Sequence, residues 1–493
     1  MKEIKQLAGD TLLYGIGTVI PRFLNWLLVP LYTRKVFIPE EYGIITEFYA
    51  YSMVLLIILT YGMETGFFRY IEKSNEKNNV YSTSIISLFA SSLLFVIIII
   101  LFINPISQSL GYQNHKEYIT MIALIVSIDA FCNIPFAYLR QQRKALRFAL
   151  IKIVNVSLII GFNLLFYLVF PNIHEKYKII QYIYNPEYKI IYVFIANLIG
   201  SVVTLFLLLP EIFKATLSFS IQLWKKMIKY SFPLLIAGLA GIVNEALDRI
   251  LLKYLLPDKS EPLYQLGIYG ANIKIAVLMM LFIQMFRYAF EPFFFKYGKD
   301  TDSKKMYATI TKYFTIFSLF IFLGIVFYID IIKYFIGTEY HEGLKIIPVL
   351  LIANIFLGLY VNLSVWYKLN NLTRYGAYIT ILGAIVTLSI NFAFIPRYGY
   401  EACAFARLAC YSTMAIVSYL LSTKYEPIPY EKTKIFLYFA FAIGLFFIQT
   451  RIAKYIEIST LQYIFNTIML FIFIFVIDSR EKIIKQLIKI KNT

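Results

Sequence analysis

The stretch Gly17–Pro30, GTVIPRFLNWLLVP, decides what kind of chain this is. It lies inside an apolar run of roughly twenty residues, long enough to cross a bilayer as a helix. Yet Pro21 and Arg22 stand near its middle. A proline there removes a helix hydrogen bond and favours a kink or hinge. A guanidinium at that depth costs about 2.5–3.5 kcal/mol on insertion scales. Something must compensate it: a carboxylate from another helix, water in a cavity, or an anionic ligand.

The whole chain supports a membrane setting. Of its 493 residues 59% are hydrophobic and 18% aromatic, and mean hydropathy is +0.68. Charged residues are 15%, against ~25% in soluble domains. A net charge of +18 in a soluble protein would point to nucleic acid. Here most Lys and Arg fall in short loops, where they set topology and meet anionic lipid, so membrane lipids and no nucleic acid are the expected contacts. Cys132, Cys403 and Cys410 lie in apolar segments and read as small packing residues. His115, His174 and His341 lie in loops with no metal-ligand spacing, and no metal, cofactor or nucleophilic triad is expected. The first apolar run lacks a small-residue cleavage site and reads as an uncleaved span.

Hydropathy and helix breaks predict an all-α polytopic membrane protein of about fourteen helices. They fall near 11–35, 42–69, 81–104, 117–139, 147–170, 190–210, 226–256, 265–295, 306–329, 344–368, 374–395, 401–422, 434–451 and 459–477. Alternate loops on one side carry about 27 Lys and Arg against about 13 on the other. The positive-inside rule then places both termini in the cytoplasm. A weak repeat relates GFFRY at Gly66–Tyr70 to PFFFKY at Pro292–Tyr297, each closing a helix opened by a Gly-Ile step. It divides the chain into two six-helix lobes, 1–215 and 216–425, and a remainder, 426–493, with two extra helices and a basic tail. Related halves in a membrane point to a transporter with its site where they meet.

Ionisable residues left inside the spans are few and mark pathways or pairs. The bases are Arg22, Lys152, Arg249, Lys274, Arg287, Lys312 and Arg407; the acids are Glu47, Glu64, Asp129, Glu245, Asp248 and Glu291. Arg287 with Glu291, and Glu245 with Arg249, are spaced to pair along one helix. Lys152, Lys312 and Arg407 lie near span ends, where they can snorkel to the headgroups. Arg22 and Lys274 are deeper, and Asn25 lies roughly on the face of Arg22. Unpaired bases in a low-dielectric cavity favour an anion, and arginine's planar fork suits phosphate.

Three segments carry a resemblance. IPEEYGIITEFYAYSMVLLIILTYGMETGFFRY resembles the first hairpin of bacterial polysaccharide-unit flippases of the multidrug/oligosaccharidyl-lipid/polysaccharide exporter superfamily. LDRILLKYLL followed by LGIYGANIKIA resembles their seventh-to-eighth helix junction, and IPRYGYEACAFARLACY their eleventh-to-twelfth. The resemblance implies a V-shaped bundle in a bacterial cytoplasmic membrane, a monomer, and alternating access around a cationic cavity. The implied substrate is a polyprenyl-diphosphate-linked oligosaccharide of capsule or O-antigen (lipopolysaccharide) type, with a functional link to polysaccharide polymerase and glycosyltransferases. By position the cavity role passes to Arg22, with Asn25 beside it, and Arg249, more loosely to Lys274, and to Arg287 if Glu291 does not occupy it. Pro21 would be the hinge. Glu64, Asp129, Glu245, Asp248 and Glu291 are the candidate pairing acids or carriers of a coupling H+ or Na+. A peptidoglycan-precursor flippase and a cation-coupled drug exporter share this architecture. A membrane glycosyltransferase or polymerase is the competing enzyme class, but the short outer loops show no cluster of acids or bases.

Overall fold

The computed structural model describes residues 15, 17–73, 76–216, 218–297, 301–370, 372–456 and 458–482. All regular structure among them is helical. In hydrocarbon each backbone polar group needs an internal partner, and a helix supplies one locally. Twelve described segments are long and apolar enough to cross a membrane. The first expected span begins outside the described residues. Its visible part, α1 (residues 17–26), runs through Pro21 and gives way to a turn at Leu27–Leu28. Pro30 follows directly and offers no N–H to the carbonyl of Trp26. The seventh expected span is a 35-residue helix, Ile221–Leu255. It carries Lys225, Lys226 and Lys229 near its start and Glu245, Asp248, Arg249 and Lys253 near its end, and the stretch between them is apolar.

The chain forms two compact units, Met1–Gly270 with Ile395–Gly399, and Ala271–Phe394 with Tyr400–Thr493. In the first unit α2 (Pro39–Thr60) starts with Pro39 in its first turn and with Glu40 and Glu41 at its positive end. The Glu41 carboxylate accepts the Ile38 N–H at 3.3 Å. The helix stops where Tyr61 and Gly62 adopt positive φ, 33° and 69°. Next, α3 (Met63–Lys73) turns Met63, Phe67 and Ile71, one turn apart, into a core with Tyr81, Leu88 and Ile134. The unit continues with α4 (Lys77–Leu101), α5 (Lys116–Gln141), α6 (Ala145–Leu164), α7 (Lys189–Ile212) and α8 (Ile221–Leu255). Helix α8 packs along α2 and α3, and α7 lies against α5 and α6. The first turns of α9 (Pro262–Tyr297) cross α2 with glycine on both sides. A Cβ on Gly43 would stand 2.1 Å from the Leu263 carbonyl oxygen, and one on Gly267 1.8 Å from that of Pro39.

The second unit holds the rest of α9, then α10 (Thr301–Phe327), α11 (Ile347–Leu363), α12 (Arg374–Tyr398), α13 (Tyr400–Tyr425), α14 (Lys432–Ile452) and α15 (Ser459–Glu481). The end of α12 belongs to the first unit. Helices α11 and α13 pack around Ala353, Trp366, Cys410 and Met414. The last two helices are fixed to α10 at both ends. At one end Lys312 donates to Glu431 at 2.7 Å and Glu481 at 2.6 Å, while Tyr438 donates to Glu481 at 2.5 Å. At the other, Asn466 donates to the Phe327 carbonyl at 2.5 Å and accepts from Gln449 at 3.0 Å. Lys312 thus does not snorkel as its place near a span end suggests. Two carboxylates from other helices hold it inside.

Glu431 lies just before α14, and the hydrogen bond from Lys312, followed by that from Lys434, depresses its pKa. A folded pKa below the unfolded one contributes stability above the ordinary carboxylate range, lost as pH falls through the depressed value. Glu431→Gln should therefore lower the apparent Tm at neutral pH. The gap to wild type should shrink as both are taken below about pH 4, the unfolded carboxylate value. A gap that stays constant with pH would remove Glu431 from the seam's energetics.

Candidate functional site

The first unit's membrane helices carry the charges to be explained. Those near the loop joining α5 to α6 form one cluster. Glu64 at the start of α3 forms an ion pair with Arg140 at the end of α5. The Arg140 guanidinium also lies 5.1 Å from the Phe68 ring centre. Asp129 accepts a hydrogen bond from Ser201 at 2.8 Å, and Asn155 donates to Thr204 at 3.0 Å. Lys152 places its ammonium 4.1 Å over the Phe136 ring, within electrostatic range of Asp129, Arg140 and Glu64. It too turns inward, where an aromatic face and nearby carboxylates favour a cation. Asp129 is exposed to solvent.

A second cluster lies at the start of α2 and the end of α8. Glu47 is fully buried. Its carboxylate accepts from Lys253 at 2.9 and 3.0 Å, from Tyr112 at 2.6 Å and from Tyr51 at 2.9 Å. Lys253 also donates to the Leu110 carbonyl at 2.8 Å, and the Tyr51 and Tyr254 hydroxyls meet at 2.8 Å. Nearby on α8, Asp248 accepts from the Tyr269 hydroxyl at 2.5 Å and from the Arg249 backbone N–H at 2.8 Å.

Two guanidiniums stand apart from these pairs. Arg22 is exposed on α1, as is Asn25, and Arg22 has no ion pair among the described residues. Gly17 approaches Ala149 of α6, where a Cβ would come within 2.8 Å of its Cα. Five residues on, at about 100° per residue, Arg22 points about 140° away from that contact. Arg249 is half-buried near Tyr42. Its Nε is buried without a hydrogen-bond partner among the described residues. The spacing that suggested a Glu245–Arg249 pair is not realised as an ion pair there. Glu245 is exposed and has other contacts.

In the second unit Lys274 is half-buried on α9 and has polar or electrostatic contacts. Arg287 is exposed and lies within electrostatic range of Tyr367. The side chain of Glu291 lies outside the described ones. Arg407 is buried on α13 and makes contacts there instead of reaching the surface. Among the described residues no group of three His, Cys, Asp or Glu is arranged to hold a metal ion.

Sequence reasoning missed Arg140, Lys253, Tyr51 and Tyr112. Arg140 reads as a loop cation within RQQRKALR, and its partner is 76 residues away. Lys253 does leave a signal: it follows Arg249 by four residues and extends the same charged stripe of α8.

A family model described as "Polysaccharide biosynthesis protein" matches residues 7–298, more than half of the chain. Among solved structures the chain is similar to the lipid II flippase MurJ in an inward closed conformation. That match has TM-score 0.71 and 16% identity, over 95% of this chain and 99% of that one. It is also similar to an inward-facing multidrug resistance MATE family transporter of the MOP superfamily, with TM-score 0.64 and 15% identity over 84% and 94%. A MOP superfamily transporter from Pyrococcus furiosus matches with TM-score 0.55 and 13% identity over 85% and 94%. No curated protein matches by sequence. At these identities the structural likeness establishes the MOP fold of a multi-pass membrane protein.

Proposed function

The chain belongs to the polysaccharide biosynthesis protein family, and on that premise we propose that it flips polyprenyl-diphosphate-linked oligosaccharide from the cytoplasmic to the outer leaflet. The observation that carries this reading is the imbalance of charge in the first unit's spans. Glu47, Glu64, Asp129 and Asp248 each accept from a named partner. Arg22 and Arg249 have no carboxylate partner among the described residues. A guanidinium in a low-dielectric cavity attracts a diphosphate and meets it with two parallel hydrogen bonds. Organic cations would be repelled, which disfavours drug export. The sugars need a hydrated path, because each unsatisfied polar group in hydrocarbon costs several kcal/mol.

In this reading fourteen helices span a bacterial cytoplasmic membrane with both termini cytoplasmic, and the monomer works in two lobes, 1–215 and 216–425. The sequence repeat supports that division, and 426–493 supplies α14, α15 and the tail. Pro21 and the turn at Leu27–Leu28 let α1 bend as access alternates. Lys274 and Arg287 are further candidate contacts for the diphosphate. Asp129, exposed and without an ion pair among the described residues, is the first candidate for a coupling H+ or Na+, with Glu64, Asp248, Glu245 and Glu291 as the others. A membrane potential negative inside would also assist, by about 2.3 kcal/mol per charge per 100 mV. Polymerase and glycosyltransferases would act before and after this step.

The test uses proteoliposomes and a fluorescent polyprenyl-diphosphate oligosaccharide, with flipping and binding measured separately. Arg22→Ala and Arg249→Ala should each weaken binding roughly ten- to hundredfold, the worth of one charge-assisted contact. Arg22 is exposed, so its loss should leave Tm unchanged. Equal binding by wild type and both variants, or binding of organic cations alone, would overturn the proposal.

A further inference from the structure

A lateral cavity of about 550 Å³ opens between α4 and the first half of α8, within the roughly 300–1,000 Å³ of small-molecule sites. Ile86, Ala90 and Leu94 form one wall, and Trp224, Ile228 and Phe232 the other. Its polar groups are already used. The Trp224 indole N–H donates to the Ser87 hydroxyl at 2.7 Å, and the Tyr61 hydroxyl meets the same oxygen at 2.6 Å. Ser91 donates to the Leu88 carbonyl at 3.2 Å. A polar ligand would find no free partner in these groups, whereas hydrocarbon would gain burial.

Phe89, Leu93 and Ile97 of the same helix α4 are exposed, as expected of a helix facing lipid. Lys225 and Lys229 follow Trp224 and Ile228 by one residue each. They are exposed on the flank of α8 that also presents Phe232. They lie on the side of the chain where the loops are rich in Lys and Arg. Apolar lining and cationic rim therefore adjoin, in the order that hydrocarbon and phosphate follow in a phospholipid. We propose that this cavity seats one hydrocarbon chain of an anionic phospholipid from the leaflet on the lysine-rich side, with its phosphate held by Lys225 and Lys229.

The test incorporates the full chain into nanodiscs of equal phosphatidylglycerol and phosphatidylethanolamine and reads retained lipid by native mass spectrometry. Wild type should keep one phosphatidylglycerol in preference. The double variant K225Q/K229Q should lose that preference by about fivefold per lysine, the effect of one cation near an anionic headgroup. Ala90→Phe, which fills the cavity, should lose the retained lipid whatever its headgroup. Equal retention of both lipids by wild type, or an unchanged preference in the lysine variant, would overturn the proposal. So would displacement by millimolar inorganic phosphate, which would leave the chain no role, or retention of a polyprenyl phosphate in place of phosphatidylglycerol from a membrane extract. If Ala90→Phe fails to fold, the lysine variant still decides, because both its positions are exposed.

Discussion

Lys253→Met is expected to destabilise the protein far more than the loss of a surface cation. The substitution keeps most of the side-chain volume and removes only the ammonium. It would leave Glu47, which has no exposed surface, with two tyrosine donors and no counter-charge. Removing one partner of a buried ion pair costs about 3–5 kcal/mol. The comparison is Lys189→Met. That lysine sits 3.8 Å from Glu41, with its side chain 47% exposed, and such surface pairs contribute about 0–1 kcal/mol. The double variant Glu47→Gln/Lys253→Met should recover much of the loss, since the uncompensated charge goes while the tyrosines keep an acceptor. Apparent Tm in mild detergent reads all of these. A Lys253→Met protein that melts with wild type would mean that Glu47 finds another compensation. In the flippase reading the pair also ties α2 to α8, so its loss should shift the resting conformation, readable as altered cysteine accessibility along α2.

The second large effect concerns a single methyl group. Gly267→Ala places a Cβ 1.8 Å from the Pro39 carbonyl oxygen. Both sides of that contact are backbone, so no side-chain rotation relieves it and the helices must separate. Overpacking of this kind costs about 1–3 kcal/mol or more. The sign is informative, because alanine in place of glycine inside a helix ordinarily stabilises by roughly 0.5–1 kcal/mol. Gly241 on α8 provides that ordinary case, since a Cβ there meets nothing within 4 Å. Gly241→Ala should raise the apparent Tm slightly while Gly267→Ala lowers it by several degrees. If both variants moved in the same direction, α2 and α9 would not cross as closely as described.

The cost of putting polar groups into hydrocarbon makes much of this protein legible from its sequence. An apolar run of span length must be helical, since no other local structure satisfies its backbone in lipid. The helices, their approximate limits and the membrane class therefore follow from hydropathy alone. The same physics draws attention to Arg22, because an arginine there must be compensated. The charged helix Ile221–Leu255 is legible in the same way, and it packs against α2, α3 and α4. What compensates each charge, however, is a matter of tertiary structure. Glu47 with Lys253, Glu64 with Arg140 and Lys312 with Glu481 are all joined across long stretches of chain. An ion pair depends on a few ångströms of separation in space and leaves no periodic trace in sequence. Residue spacing suggested an in-helix pair for Arg249 and snorkelling for Lys152 and Lys312. Packing instead left the Arg249 guanidinium without a carboxylate among the described residues and turned both lysines inward, Lys152 onto the Phe136 ring and Lys312 onto Glu431 and Glu481.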